Sequence, residues 1–192
     1  MWRRQRIGTE IIFKLRPFAP AGDSLGLTVG GLLHRLPGVL SIEYQLEGDL
    51  RSVVWPAPCP AISRRHELWR QTCFEIFFGV PGQSAYWEVN IGPGGCWNLY
   101  HFTSYRQGMQ EEAAVDRLTC HVVREDDTFS LSCRIEVHKL IPDYLGIEAG
   151  IAGVVLHTTG NAVYWAIDHL ETVADFHSRR SFLIALPGVA KM

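Results

Sequence analysis

Apolar residues recur at every second position along almost the whole chain, the period of strands buried on one face. The runs that carry it are "EIIFKLRPF", "LGLTVGGLLHRL", "GVLSIEYQLEG", "TCFEIFFGV", "AYWEVNIG", "WNLYHFTSY", "RLTCHVVRE", "TFSLSCRIEV", "GIAGVVLHTT", "AVYWAIDH" and "SFLIALP". Gly, Pro, Asn and Asp turns separate them, and "EGDL" ahead of "RSVVWP" reads as a further hairpin. Helical pattern is thin: "QEEAAVDRL" has room for a turn or two, and "KLIPDYLGI" for a short helix interrupted by Pro142. About a dozen short strands without helical crossovers predict an all-β fold. The expected form is an antiparallel β-sandwich of immunoglobulin-like or jelly-roll type. With no internal repeat or linker, residues 1–192 read as one domain.

Eighteen basic and twenty acidic residues give a net charge of −2, which carries no footprint for nucleic acid or an anionic membrane. The basic "MWRRQR" run reads as a solvated tail. No run reaches the roughly 18 apolar residues of a membrane span. The segment after the first arginines, "IGTEIIFKLRPF", places charges where a signal peptide has its apolar stretch, so a cytoplasmic protein is expected. Cys59, Cys73, Cys96, Cys120 and Cys133 are odd in number and lack a C-x-x-C pair. They are expected to be free, mostly buried thiols, and no metal site is expected.

Residues 68–109 hold three tryptophans, several other aromatics, two glutamates and two arginines. Alternation assigns Thr72, Phe74, Ile76 and Phe78 to one face, and Cys73, Glu75 and Phe77 to the other. Trp87 shares a phase with Val89 and Ile91, so Trp87 and Trp97 read as core. If these strands are neighbours, the opposite face collects Glu75, Glu88 and Asn90 with Tyr86, Tyr100 or Asn98. For Glu88 and Asn90 the simpler reading is a solvated outer face. Glu75 lies between Cys73 and Phe77 in an apolar strand and needs a partner or a ligand. Trp69 precedes its strand and is not bound to point inward; an exposed indole is a stacking platform for a sugar ring. Arg106 follows a strand and suits hydroxyl or carboxylate contacts, with an ion pair to Glu75 or Glu88 as the alternative.

"GPGG" is a turn with no helix after it, so a phosphate loop is not indicated. The segment "DHLETVADFHSRR" brings Asp168, His169, Asp175 and His177 into one loop. His169 and His177 are eight positions apart, and no nucleophile lies in a G-x-S-x-G context. Loop-fixing hydrogen bonds are expected here rather than hydrolysis.

The motifs "LWRQTCFEIFFG", "YWEVNIGPGGCWNLYHFTSYRQGM" and "YWAIDH…ADFHSRRSF" resemble the bacterial DOMON-like domains, which are related to family 9 carbohydrate-binding modules. The resemblance spans about residues 66–187. It implies a β-sandwich with a ligand site on one sheet, for a sugar or for haem. In the sugar-binding modules two tryptophans sandwich the ring, and glutamate, arginine and asparagine hold its hydroxyls. Trp69 with Glu75 resembles the first half of such a site, Trp165 with Asn161 the second, and Arg106 supplies the arginine. Trp165 is also in core phase with Val163 and Ile167. The haem branch implies axial methionine and histidine, here Met109 with His169. Because such haem domains are usually exported, haem is the second reading, and no cofactor is expected in the first. The resulting expectation is a non-catalytic domain that binds a small carbohydrate through Trp69, Glu75, Arg106, Asn161 and Trp165. A structural or protein-interaction domain is the remaining alternative.

Overall fold

The computed structural model of the chain describes residues 9–18, 26–59 and 61–189; the "MWRRQR" run lies outside them. Thirteen strands form twin antiparallel sheets stacked face to face, as the alternation predicts. The smaller sheet has the order β1 (Thr9–Lys14), β3 (Thr28–Leu36), β4 (Val39–Glu47), β10 (Thr128–Ile135) and β9 (Thr119–Arg124). The larger runs β2 (Arg16–Pro17), β12 (Ala162–Ala166), β11 (Ile147–Leu156), β5 (Cys73–Gly79), β6 (Tyr86–Ile91), β7 (Trp97–Phe102) and β8 (Gln110–Glu111). A last strand, β13 (Ile184–Leu186), also pairs with β11. The run "EIIFKLRPF" is therefore shared between sheets: the chain changes sheet at the buried Leu15.

The inner faces meet in one large apolar core. Phe74 of β5 stacks on Phe129 of β10 at 5.5 Å and leans on Tyr44 of β4 at 4.9 Å. The Tyr44 hydroxyl crosses the core to donate a 2.6 Å hydrogen bond to the backbone carbonyl of Glu75. This satisfies the one polar atom of that ring and fixes the position of β5 relative to the opposite sheet. Gly31 of β3 leaves room for the Phe13–Tyr44 pair; a Cβ there would fall 1.8 Å from the Glu43 carbonyl and 2.8 Å from the Phe13 ring.

Three local expectations are corrected. "RSVVWP" is not a hairpin strand: Asp49 accepts the Arg51 backbone N–H, residues Leu50–Ser52 form a 3-10 turn, and Val53 bridges His157. A short acidic side chain competing for the backbone explains the change. "QEEAAVDRL" starts as edge strand β8, and "KLIPDYLGI" holds only the end of a 3-10 turn, Val137–Lys139, and the first residue of β11, Ile147. Nor are all five cysteines free. Cys59 and Cys96 form a disulfide with Cα atoms 5.6 Å apart, because the Cys59 backbone N–H donates to Gly94 and draws the proline-rich loop onto the β6–β7 turn.

Arg35 of β3 occupies a core-facing phase and is fully buried. Its guanidinium donates to the carbonyls of Asp143, Leu145 and Leu186, and so joins the smaller sheet to the end of β13 and the 143–145 loop. Arg35→Met should lower stability by about 3 kcal/mol, since three buried carbonyls lose a charged donor. Urea titration should show this as a lower midpoint with an unchanged slope.

Candidate functional site

The outer face of the larger sheet is where the sequence places its unusual polar residues. Alternation turns Cys73, Glu75 and Phe77 of β5 outward, together with Tyr86, Glu88 and Asn90 of β6. On β7 the same face carries Asn98, Tyr100 and Phe102. It is not solvated. Glu75 is 3% exposed, Glu88 4%, and Asn90 and Asn98 are fully buried.

Two segments cover it. In the first, Arg65 N–H donates to the Trp97 carbonyl, Trp97 N–H donates to Ser63, and the Arg64 guanidinium lies over the Trp97 ring at 4.5 Å. Arg64 also donates to Asn98 Oδ1 and to the carbonyls of Glu112 and Val115. This anchorage carries the 3-10 turn Leu68–Arg70 to the sheet, where Leu68 is buried and the Trp69 ring meets Tyr100 edge-on at 5.7 Å. The second segment, residues 168–183, is held by Asp175. Its carboxylate accepts from Tyr105 Oη at 2.8 Å, from the Arg106 guanidinium at 2.9 Å and from the His177 backbone N–H at 3.1 Å. Burial opposes ionisation of Asp175, but these donors outweigh it and hold its carboxyl below the ordinary value.

Between these segments lies a cavity of about 410 Å³. Glu75, Glu88, Phe102 and Val154 form its floor, and Ala174, Phe176 and His177 its roof. Trp69, Arg106, Met109 and Tyr164 stand at its sides. Glu67 and Arg106 are the non-glycine residues with positive φ, 59° and 54°, among the described residues. Both flank this cavity: Glu67 starts the turn that bears Trp69, and Arg106 is itself a wall. Backbone held in this uncommon region collects at functional sites.

The floor is electrostatically unusual. Asn90 Nδ2 donates to Glu88 Oε1 at 2.6 Å, whereas Glu75 Oε1 is buried with no partner among the described residues. Burial, and then the neighbouring Glu88, push the Glu75 carboxyl well above the usual carboxylate range. Burial raises Glu88 to about 7, against the opposing effects of the Asn90 hydrogen bond and the Arg106 charge. His177 Nε2 lies 3.8 Å from Glu88 Oε2, but this is not an ion pair. Burial and the charge of Arg106 lower His177 to about 4, so its ring is neutral where Glu88 ionises. Tyr86 Oη accepts the Arg106 backbone N–H and lies 2.9 Å from His177 Nδ1. The Tyr86 hydroxyl proton is therefore best spent on Nδ1, which leaves the imidazole proton on Nε2, facing Glu88.

Trp69, Glu75 and Arg106 thus share one cavity, and Met109 lines it too. Arg106 pairs with Asp175, not with either glutamate. Trp165 is elsewhere: it is buried between the sheets, because its register partner Gly153 pairs with Phe74 and puts it on the inner face. Asn161 lies exposed in the β11–β12 turn, where its carbonyl accepts from His157. His169 is held at the β2 side, its Nε2 2.9 Å from the Arg16 carbonyl, and is not brought to Met109. Trp97 is buried, while Trp87 is half-buried against the core and donates to Glu112. The solvated reading of Glu88 and Asn90 is overturned by the two covering segments. Tyr164, Phe176 and His177 were not assigned to the site from sequence. Tyr164 had a usable signal, since it adjoins Trp165 and must take the opposite face. Among the described residues no cluster of His, Cys, Asp or Glu is arranged to hold a metal ion, and no helix is long and apolar enough to cross a membrane.

The raised Glu88 pKa makes stability depend on pH. Between about pH 4.5 and 7 the unfolded chain ionises this carboxyl while the folded chain keeps its proton, so stability falls as pH rises through that window. His177 acts in the opposite sense, costing stability as pH falls from 6.5 towards 4. Glu88→Gln removes only the first effect. We expect the variant to exceed the parent by roughly 2–3 kcal/mol at pH 8 and by little at pH 5. Urea titrations at both pH values test this; equal differences at the two would contradict a buried, proton-holding Glu88.

No family model matches the chain, and no curated protein matches it in sequence. Its fold is shared with a "putative carbohydrate-binding protein" from Bacteroides uniformis, with 12% identity, a TM-score of 0.60 and coverage of 91% of this chain and 84% of that one. A family 9 carbohydrate-binding module from Caldicellulosiruptor kristjanssonii, in complex with cellotriose, matches with 13% identity and a TM-score of 0.47, covering 81% of this chain and 71% of that one.

Proposed function

We propose that this chain is a non-catalytic, DOMON-like carbohydrate-binding domain whose ligand occupies the cavity over β5, β6 and β7. The observation that carries the reading is Glu75: a buried carboxyl oxygen without a partner, on the floor of a cavity walled by aromatic rings. Such an oxygen is costly to bury alone and is satisfied by a ligand that donates to it. Trp69 and Tyr164 offer ring faces at the sides, Phe102 and Phe176 close the floor and roof, and Arg106 stands at the edge. Apolar ring faces with a few fixed polar groups suit a sugar. The fold shared with the Bacteroides uniformis protein supports this choice among ligands. The non-catalytic part rests on the engagement of the other groups: His177 is bonded to Tyr86, Arg106 to Asp175, and Glu88 to Asn90. In this reading Trp69, Glu75 and Arg106 keep the roles the resemblance gives them, and Tyr164 replaces Trp165 as the second ring.

Calorimetric titration with mono- and oligosaccharides should give saturable binding with one sugar class. Trp69→Ala should weaken it roughly tenfold or more and leave the melting curve nearly unchanged. Glu75→Ala should abolish binding without unfolding the protein. Trp165→Ala, by contrast, should cost about 3–5 kcal/mol of stability, as loss of a buried aromatic does. Normal binding by Glu75→Ala, or unfolding of Trp69→Ala in place of lost binding, would sink the proposal.

A further inference from the structure

The two carboxyls of the floor specify more than a hydroxylated ligand. Register pairs Glu75 with Asn90 and Phe77 with Glu88, so the glutamates sit diagonally on neighbouring strands of one face. Cross-strand diagonal neighbours are within reach of each other's long side chains. Both are buried, and both line the same cavity. The protein offers this pair little in return. Asn90 donates to Glu88 Oε1, and Glu75 Oε1 receives nothing among the described residues. The nearest guanidinium, Arg106, is committed to Asp175, and the His177 ring approaches Glu88 no closer than 3.8 Å. The floor therefore has surplus acceptors, and its carboxyls, once ionised, bring negative charge into a site whose nearest guanidinium is paired elsewhere. A hydroxyl donates one hydrogen and brings no charge, whereas an ammonium group donates three and, with its single positive charge, compensates one of the two carboxylates. The rings of Trp69, Phe102, Tyr164 and Phe176 around it also favour a cation.

We infer that the ligand carries a protonated amine that seats between Glu75 and Glu88, and that the preferred class is an amino sugar with a free amine. This inference rests on the carbohydrate reading of the same cavity and narrows it. The groups that face Glu88 are Glu75 and the Cys73 thiol from β5, Asn90 on its own strand, His177 from the covering segment, Arg106 from the β7–β8 hairpin, and the Tyr86 and Tyr100 hydroxyls. Of these only the carboxyls gain affinity for a cation as pH rises from acid to neutral. Binding of the amine then strengthens over that range, while binding of a neutral sugar does not.

The test is calorimetry at pH 7.0 and 5.5 with matched pairs: glucosamine against glucose, galactosamine against galactose, and N-acetylglucosamine as the uncharged amide. At pH 7.0 one amine should bind roughly tenfold or more tightly than its neutral partner and its amide. That preference should shrink at pH 5.5 and collapse in both Glu75→Gln and Glu88→Gln, with circular dichroism confirming that each variant is folded. Neutral sugars binding as tightly as amines to the parent chain would overturn the amine and leave the carbohydrate reading in place. A preference for the amine that survives in both glutamine variants would also overturn it, since the cation would then be held elsewhere. No binding by any sugar, neutral or charged, would overturn this inference and the carbohydrate reading together.

Discussion

The site depends on one carboxylate. Asp175 gathers a phenol, a guanidinium and a backbone N–H from two parts of the chain, and by doing so folds residues 168–183 over the larger sheet. These contacts act with the burial of Phe182 and the Arg179–Glu148 pair to keep the segment over Glu75 and Glu88. Its three donors, one of them charged, offset the cost of burying a charge at the edge of the cover. They also pair Arg106 with Asp175 and not with the floor carboxyls.

Covering both faces of an antiparallel sheet changes what its polar residues do. Most sandwiches leave the outer face to solvent, and alternation then sorts apolar in and polar out. Here the outer face is sealed by aromatic contacts at one end, where Tyr86, Phe102 and Phe182 pack together, and by a hydrogen-bond network of Asn98, Tyr100 and Glu111 at the other. The cavity lies between a dry end and a polar end. Its carboxyls inherit burial from the first and lack the donors of the second. Meanwhile Tyr44 holds the backbone of Glu75 from the far side of the core, so the carboxyl is presented by a strand with little freedom to retreat.

Period-two alternation made the sandwich legible, because burial on the inner face is a property of each strand by itself. The same argument separated Glu75 from Phe74, while Trp69 stood apart because it precedes its strand. It failed where the outcome depended on distant segments. Glu88 and Asn90 have the phase of solvated residues, and it is the two covering segments, residues 63–70 and 168–183, that bury them. Trp165 follows its alternation phase into the core, against the site role that the resemblance implied, and the same pairing of β12 with β11 turns Tyr164 to the cavity. His177 sits in a loop whose path no local pattern fixes. The site was legible to the extent that strands build it and hidden to the extent that loops close it.

The Cys59–Cys96 bond joins positions 37 apart, and Trp69, Glu75 and Glu88 all lie within that span. When it is formed, one stacking ring and both floor carboxyls belong to a single covalent ring that no unfolding event can open. Closing a loop of this size restricts the unfolded chain by roughly 3–4 kcal/mol in the chain-entropy account. The other half of the cavity, from Arg106 to His177, lies outside that ring and is held by hydrogen bonds and by the packing of Phe176 and Phe182 on Phe77 and Tyr86. The recognition floor and its roof therefore differ in permanence: one is a fixed palm, the other fingers that can let go.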